Sequence, residues 1–135
     1  MSYIVNRIFS SITYILPTGN DRDCWLVDCG DVEKIIEQGW NVKGVLLTHA
    51  HCDHIYGLNK LMEAFPEALV YTNADGKEGL MNPRWNFSQY HEDVEDFVFA
   101  YPENVRVIEE EGTIDLGEIQ VVVFLVTTQV VWRSA

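Results

Sequence analysis

At 135 residues, with 47% hydrophobic and 22% charged residues, the chain is sized for one domain with a buried core. Nine basic and 21 acidic residues give a formal charge of −12, a field that repels phosphate backbones and argues against a nucleic-acid partner. Cys24, Cys29 and Cys52 form no Cys-x-x-Cys pair, which argues against a disulfide framework and for a reducing, cytoplasmic setting. The longest apolar run, Val121 to Val126, is far too short to span a bilayer, and no basic segment with an apolar block opens the chain, so no membrane partner is expected.

Tyr3 to Ile8 and Ile12 to Leu16 are rich in β-branched and aromatic residues and predict two strands. Pro17-Thr18-Gly19-Asn20-Asp21 is turn chemistry, and Cys24 to Asp28 returns as a third strand. Asp31 offers an N-cap for a short helix with Val32, Ile35 and Ile36 on one buried stripe and Gly39 as its stop. Val42 to Leu47 is a near-continuous apolar run, as expected of a strand buried on both faces.

That strand leads into Thr48-His49-Ala50-His51-Cys52-Asp53-His54, which holds three of the chain's four histidines. Imidazole and carboxylate side chains this close together are the ligands a zinc-type ion needs. His49 and His51 face the same way if the backbone is still extended there. Asp53 and His54 fall where the chain turns into the next helix, so the four ligands divide into two pairs. After the motif, Leu58, Leu61, Met62 and Phe65 predict an amphipathic helix ended by Pro66. Leu69-Val70-Tyr71 predicts a strand, and Asn73 to Met81 a short helix closed by Asn82-Pro83. The alternation of strand and helix argues for an α/β sheet.

From Arg84 to Asn104 the aromatics Trp85, Phe87, Tyr90, Phe97, Phe99 and Tyr101 interleave with acids; packing against the sheet is the favoured reading, a substrate entrance the alternative. The acidic clusters around Glu92 to Asp96 and Glu109 to Glu111 predict solvated faces. Val105 to Ile108 and Ile114 to Val126 predict strands, with Leu116-Gly117-Glu118 as a turn.

His-x-His-x-Asp-His after an apolar strand ending in Thr resembles the metallo-β-lactamase superfamily, and within it the small glyoxalase II-like hydrolases. The likeness is specific from Tyr14 to Leu80. It implies the N-terminal half of an αββα sandwich, an α/β fold with a mixed sheet and helices on one face, and one half-domain over residues 1–135. It implies a zinc cofactor, with His49 and His51 as ligands of a first ion and Asp53 and His54 of a second. Asp53 would also orient the nucleophile, a hydroxide attacking the carbonyl of a small thioester or similar acyl substrate. Val27-Asp28-Cys29-Gly30 resembles the family's Asp-x-Gly turn beneath the metals, which would make Asp28 the carboxylate that holds the histidine loop. Tyr56 stands where the family often has Gly and is expected to narrow the mouth of the site.

The likeness fails at the C-terminus. The family completes its site after the last strand with a Pro-Gly-His turn, a bridging Asp and a final His. Here the chain continues Thr127-Thr128-Gln129-Val130-Val131-Trp132 and ends at Ala135 without a histidine, an atypical tail over 127–135; only His91 remains outside the motif. Reading the codons of Phe124 to Val131 one nucleotide earlier permits Pro-Gly-His-Asn-Pro-Ser-Cys, so a truncated or frameshifted longer hydrolase is expected. Two functions follow: a metal-dependent hydrolase, or a non-catalytic half-domain with weak or no metal binding. A half-fold also leaves an apolar sheet face and the Val121 to Val126 strand exposed, which predicts a homodimer.

Overall fold

The computed structural model describes residues 2–19, 21–92, 94–117, 119–126 and 129–134. Asn20 of the first expected turn, Asp93 of the acidic cluster, Glu118 of the second turn, and Thr127, Thr128 and Ala135 of the tail lie outside them.

Six strands form the first sheet: β1 (Ser2–Val5), β2 (Ile12–Pro17), β3 (Asp23–Val27), β4 (Asn41–Leu46), β5 (Leu69–Thr72) and β6 (Val105–Val107), neighbours in that order. The first two pairings are antiparallel and the next three parallel, so the sheet is mixed. The helices α1 (Glu33–Glu37), α2 (Leu58–Ala64) and α3 (Ala74–Met81) occupy the crossovers that parallel pairing requires. Their apolar stripes, Val32 and Ile35, then Leu58, Leu61 and Met62, then Leu80, join Leu26, Val45 and Val70 in one buried cluster. A second sheet, β7 (Gly112–Asp115), β8 (Gln120–Val126) and β9 (Gln129–Ser134), is antiparallel. It closes the other face of the first sheet, where Leu116, Val121, Ile114 and Trp132 meet Trp25, Leu46, Leu16 and Tyr71. The layers therefore run helix, sheet, sheet, the α/β architecture expected. No described helix is long and apolar enough to cross a membrane.

Several expectations change on contact with the structure. The first strand ends at Val5 rather than Ile8, because Asn6 closes a tight loop: its backbone N–H donates to the Ser11 carbonyl at 2.7 Å, and Phe9 and Ser10 sit at positive φ. Asp31 does not cap α1. Its carboxylate accepts from the Arg7 backbone N–H at 2.7 Å, and the helix starts at Val32 without a side-chain cap. Ile36 is 42% exposed, since a five-residue helix buries only its Val32–Ile35 face. The Val121 to Val126 strand is not an open edge. It is the central strand of its sheet, paired to β7 and β9, with Val121 and Val123 buried. Phe124 of that strand is exposed, and Tyr3, Val5 and Tyr14 on β1 and β2 are bare as well.

Candidate metal centre

The motif leaves the sheet at the C-terminal end of β4, the end where α/β sheets usually place their chemistry. Leu47 still donates to the Tyr71 carbonyl at 3.0 Å, so the backbone remains extended into Thr48. Cys52–His54 then make a single 3₁₀ turn before α2. The loop is tied down from four directions. Cys29 N–H donates to the His54 carbonyl at 2.8 Å, Cys52 N–H to the Asn86 carbonyl at 2.8 Å, and Val130 N–H to the Thr48 carbonyl at 2.8 Å. The Ser11 hydroxyl donates to the Asp53 carbonyl at 2.6 Å. Close approach beneath the loop depends on Gly57, where a side chain would collide with the Gly30 carbonyl.

The three histidines converge. Ring centroids lie 4.6 Å apart for His49 and His51 and 4.4 Å apart for His49 and His54. Their orientation is set from below by Asp28, which is 4% exposed and sits at φ +61°, a left-handed position Asp tolerates better than most residues. Its carboxylate accepts from the Thr48 backbone N–H at 2.8 Å and from His54 Nδ1 at 2.8 Å. It also accepts from the Thr48 hydroxyl, 2.8 Å from Oδ2. A hydroxyl has one proton, and a carboxylate oxygen can only accept it. Thr48 Oγ1 therefore accepts from His49 Nδ1, which stands 2.9 Å away. The chain Asp28–Thr48–His49 fixes the Nδ1–H tautomer of His49, and Asp28 holds His54 with its Nδ1–H bound in the same sense. His49 is thus left with Nε2 as its unprotonated nitrogen. The sequence pointed to Asp28 but not to Thr48, whose hydroxyl is the second member of the relay.

His54 is held on its other side too, with Nε2 at 3.3 Å from Asp53 Oδ2. Burial pushes the His54 imidazole toward the neutral form, but the hydrogen bond to Asp28 and the charges of Asp28 and Asp53 outweigh it and raise its pKa above 6.5. His49 moves the opposite way: burial first, then the neighbouring His54, lower its pKa. Cys52 is 2% exposed, a core position, and burial raises its thiol pKa. The donor chemistry fits a zinc-type ion, with imidazoles whose Nδ1 protons are held by a carboxylate or by a hydroxyl bonded to one. Among the described residues, no group of three His, Cys, Asp or Glu side chains is arranged to hold a metal ion.

A cavity of about 230 Å³ opens beside His49 and His51, walled by Trp85 and Phe87. Here the aromatic segment divides. Phe97 and Phe99 are buried in the core as packing predicts, while Trp85 and Phe87 stand exposed at the site. Asn86 between them is fully buried, and its side-chain amide donates to the Gly79 and Phe97 carbonyls at 2.7 and 3.0 Å. Tyr56 does not narrow this mouth; it lines a separate cavity with Arg7 and Asn59. His91 packs edge-on against Phe9, ring centroids 4.9 Å apart.

A family model described as the metallo-beta-lactamase superfamily matches residues 6–128. The chain belongs to that superfamily. Among curated relatives, a hydroxyacylglutathione hydrolase of Hydrogenovibrio crunogenus is 36% identical over 70 residues, covering 47% of this chain and 26% of that protein. One of Klebsiella pneumoniae is 35% identical over 69 residues, covering 48% of this chain and 27% of its own. This superfamily member thus spans about a quarter of the length of the curated relatives it matches. Solved structures share its fold. The B3 metallo-beta-lactamase BLEG-1 aligns with a TM-score of 0.83 at 23% identity over 97% of this chain and 65% of that one. TTHA1623, in a di-iron-bound form, aligns at 0.66 and 23% identity over 90% of this chain and 59% of that one.

Proposed function

We propose that this chain carries the metal-binding motif of a zinc-dependent hydrolase acting on a thioester or similar acyl bond of a small molecule. The observation that carries the reading is the Asp28–Thr48–His49 and Asp28–His54 network, which orients imidazole donors at the end of a buried strand. His49 and His51 would hold one ion, and Asp53 and His54 a second. A zinc-type ion supplies Lewis acidity and lowers the pKa of coordinated water to about 7. The chain's own part is orientation. Asp28 and Thr48 hold the Nδ1 positions of His49 and His54, which leaves Nε2 as the nitrogen each would offer to an ion. Asp53 would accept a proton from the attacking water and orient it. The curated relatives named hydroxyacylglutathione hydrolase support a small acyl substrate of this kind.

The second reading, a non-catalytic half-domain with weak or no metal binding, is favoured by one observation: among the described residues, no group of three His, Cys, Asp or Glu side chains is arranged to hold a metal ion. Metal content per chain, measured on protein purified without chelator or added metal, separates the two. One or two zinc-like ions per chain, with zinc-dependent thioester hydrolysis abolished by His51→Ala, is expected. A metal content near zero that added zinc does not raise would leave only the second reading.

A further inference from the structure

We propose that the cavity beside His49 and His51 is an acyl-group pocket for a neutral, benzene-sized apolar chain, with Trp85 and Phe87 as its specificity-determining wall. The inference rests on the hydrolase reading and adds which part of the substrate this chain would recognise.

Size decides the class of occupant. The cavity holds about 230 Å³. An apolar cavity of about 150 Å³ already takes benzene, whereas whole drug-sized ligands need about 300–1,000 Å³. The pocket therefore suits one small group of a larger molecule. Its floor is Ala50, Gly76 and Gly79, with no polar side chain. The helix lies tight on the loop there: a Cβ at Gly79 would stand 2.7 Å from the Ala50 Cβ.

The wall is aromatic and uncovered. Trp85 is 56% and Phe87 45% exposed, on a turn whose other members Asn86 and Ser88 are fully buried. Phe87 adopts φ +67°, a left-handed backbone that a bulky aromatic rarely takes. The turn holds it there: Ser88 N–H donates to Asn86 Oδ1 at 3.0 Å, and Phe97 N–H to the Ser88 hydroxyl at 2.8 Å. The result is a ring aimed edge-on at His51, centroids 5.0 Å apart. A group stacked on that ring lies beside the imidazoles. Charge narrows the class further. The exposed Asp75 carboxylate is at the cavity and the chain carries −12, so an acyl group bearing its own carboxylate is disfavoured.

The test titrates metal-free protein with N-methyl-2-phenylacetamide, N-methylacetamide and N-methylsuccinamate, following backbone amide shifts by NMR. Saturable shifts at Ala50, Gly76 and Gly79 are expected with the phenyl compound, none with the succinamate, and roughly fivefold weaker binding in Phe87→Ala and in Trp85→Ala. Both side chains are exposed, and unchanged shifts elsewhere report an intact fold. If Phe87→Ala fails to fold, Trp85→Ala alone decides. Absence of saturable shifts at these residues, or wild-type affinity in the folded variants, overturns the proposal. Zinc-dependent hydrolysis of phenylacetyl, acetyl and succinyl thioesters keeps the two readings apart. Binding without hydrolysis of any thioester removes the hydrolase and leaves the pocket. Equal hydrolysis of all three without binding removes the pocket and leaves the hydrolase.

Discussion

Replacing Asp28 by Asn and by Ala separates what the carboxylate does for the fold from what it does for the metal site. In the native network it accepts from three donors, the Thr48 N–H, the Thr48 hydroxyl and His54 Nδ1. Asp28→Ala strands all three in a part-buried place. Breaking a buried charged pair by removing one partner costs about 3–5 kcal/mol. Alanine at φ +61° adds about 1–2 kcal/mol of left-handed strain. That total, about 4–7 kcal/mol, approaches the whole stability of a small domain, about 5–15 kcal/mol. Asp28→Asn tolerates the backbone and keeps one acceptor oxygen for Thr48. The new NH₂ faces His54 Nδ1, so His54 must accept there and carry its proton on Nε2. The stability loss is only the change from charge-assisted to neutral hydrogen bonds, about 1–2 kcal/mol. The Nε2 lone pair, however, is gone, and zinc affinity is expected to fall about 10–100-fold. Urea melts give the first quantity and competition with a chromophoric zinc chelator the second. An Asp28→Asn protein that binds zinc like the wild type, or that unfolds as readily as the Asp28→Ala protein, would refute the tautomer argument.

Four further outcomes follow from the same contacts. Thr48→Val keeps the shape but cuts the relay to His49; zinc affinity should drop about tenfold, with a loss in urea stability of about 1–3 kcal/mol for the unpaired donor. In the metal-free protein the His54 contribution to stability falls between pH 6 and pH 8: its folded pKa is raised, so the stabilisation is complete below 6.5 and is lost as pH climbs through the folded value, while His49, whose pKa is lowered, contributes in the opposite sense. His54→Gln should remove the falling part, so that stability in pH-dependent urea melts rises more, or falls less, from pH 6 to pH 8 than in the wild type; an unchanged pH dependence would refute the assignment. Trp132→Phe removes the indole N–H that donates to the Leu47 carbonyl at 3.0 Å, and should cost about 1 kcal/mol in thermal or urea unfolding if β9 is part of the cooperative fold. Self-association, if sedimentation detects it, should be weakened more by Tyr3→Lys than by Phe124→Lys on β8, because Tyr3 is 62% exposed beside bare Val5 and Tyr14 whereas Phe124 is 39% exposed.

Local chemistry makes much of this protein legible in its sequence. The apolar run into Thr48, the His-x-His-x-Asp-His spacing and the Leu58–Leu61–Met62 stripe are patterns within one strand or one helix, where periodicity alone says which side chains share a face. Asp28 by itself reads equally as a turn cap or as a support for the loop, and only the family resemblance points to the second. What periodicity cannot carry is partnership across the chain. Asp31 reads as a cap from its neighbours, yet its carboxylate binds Arg7, 24 residues away. The tail reads as an appendage, yet Trp132 bonds to Leu47 across 85 positions and completes a sheet over the first. Thr48 becomes a tautomer relay only because β3 and β4 run side by side, and Phe87 meets His51 only because buried Asn86 anchors its turn to Cys52. Which residues carry metal chemistry is a matter of side-chain type and spacing. Which protons they hold, and what stands beside them, is decided by hydrogen bonds and packing between segments far apart in the chain.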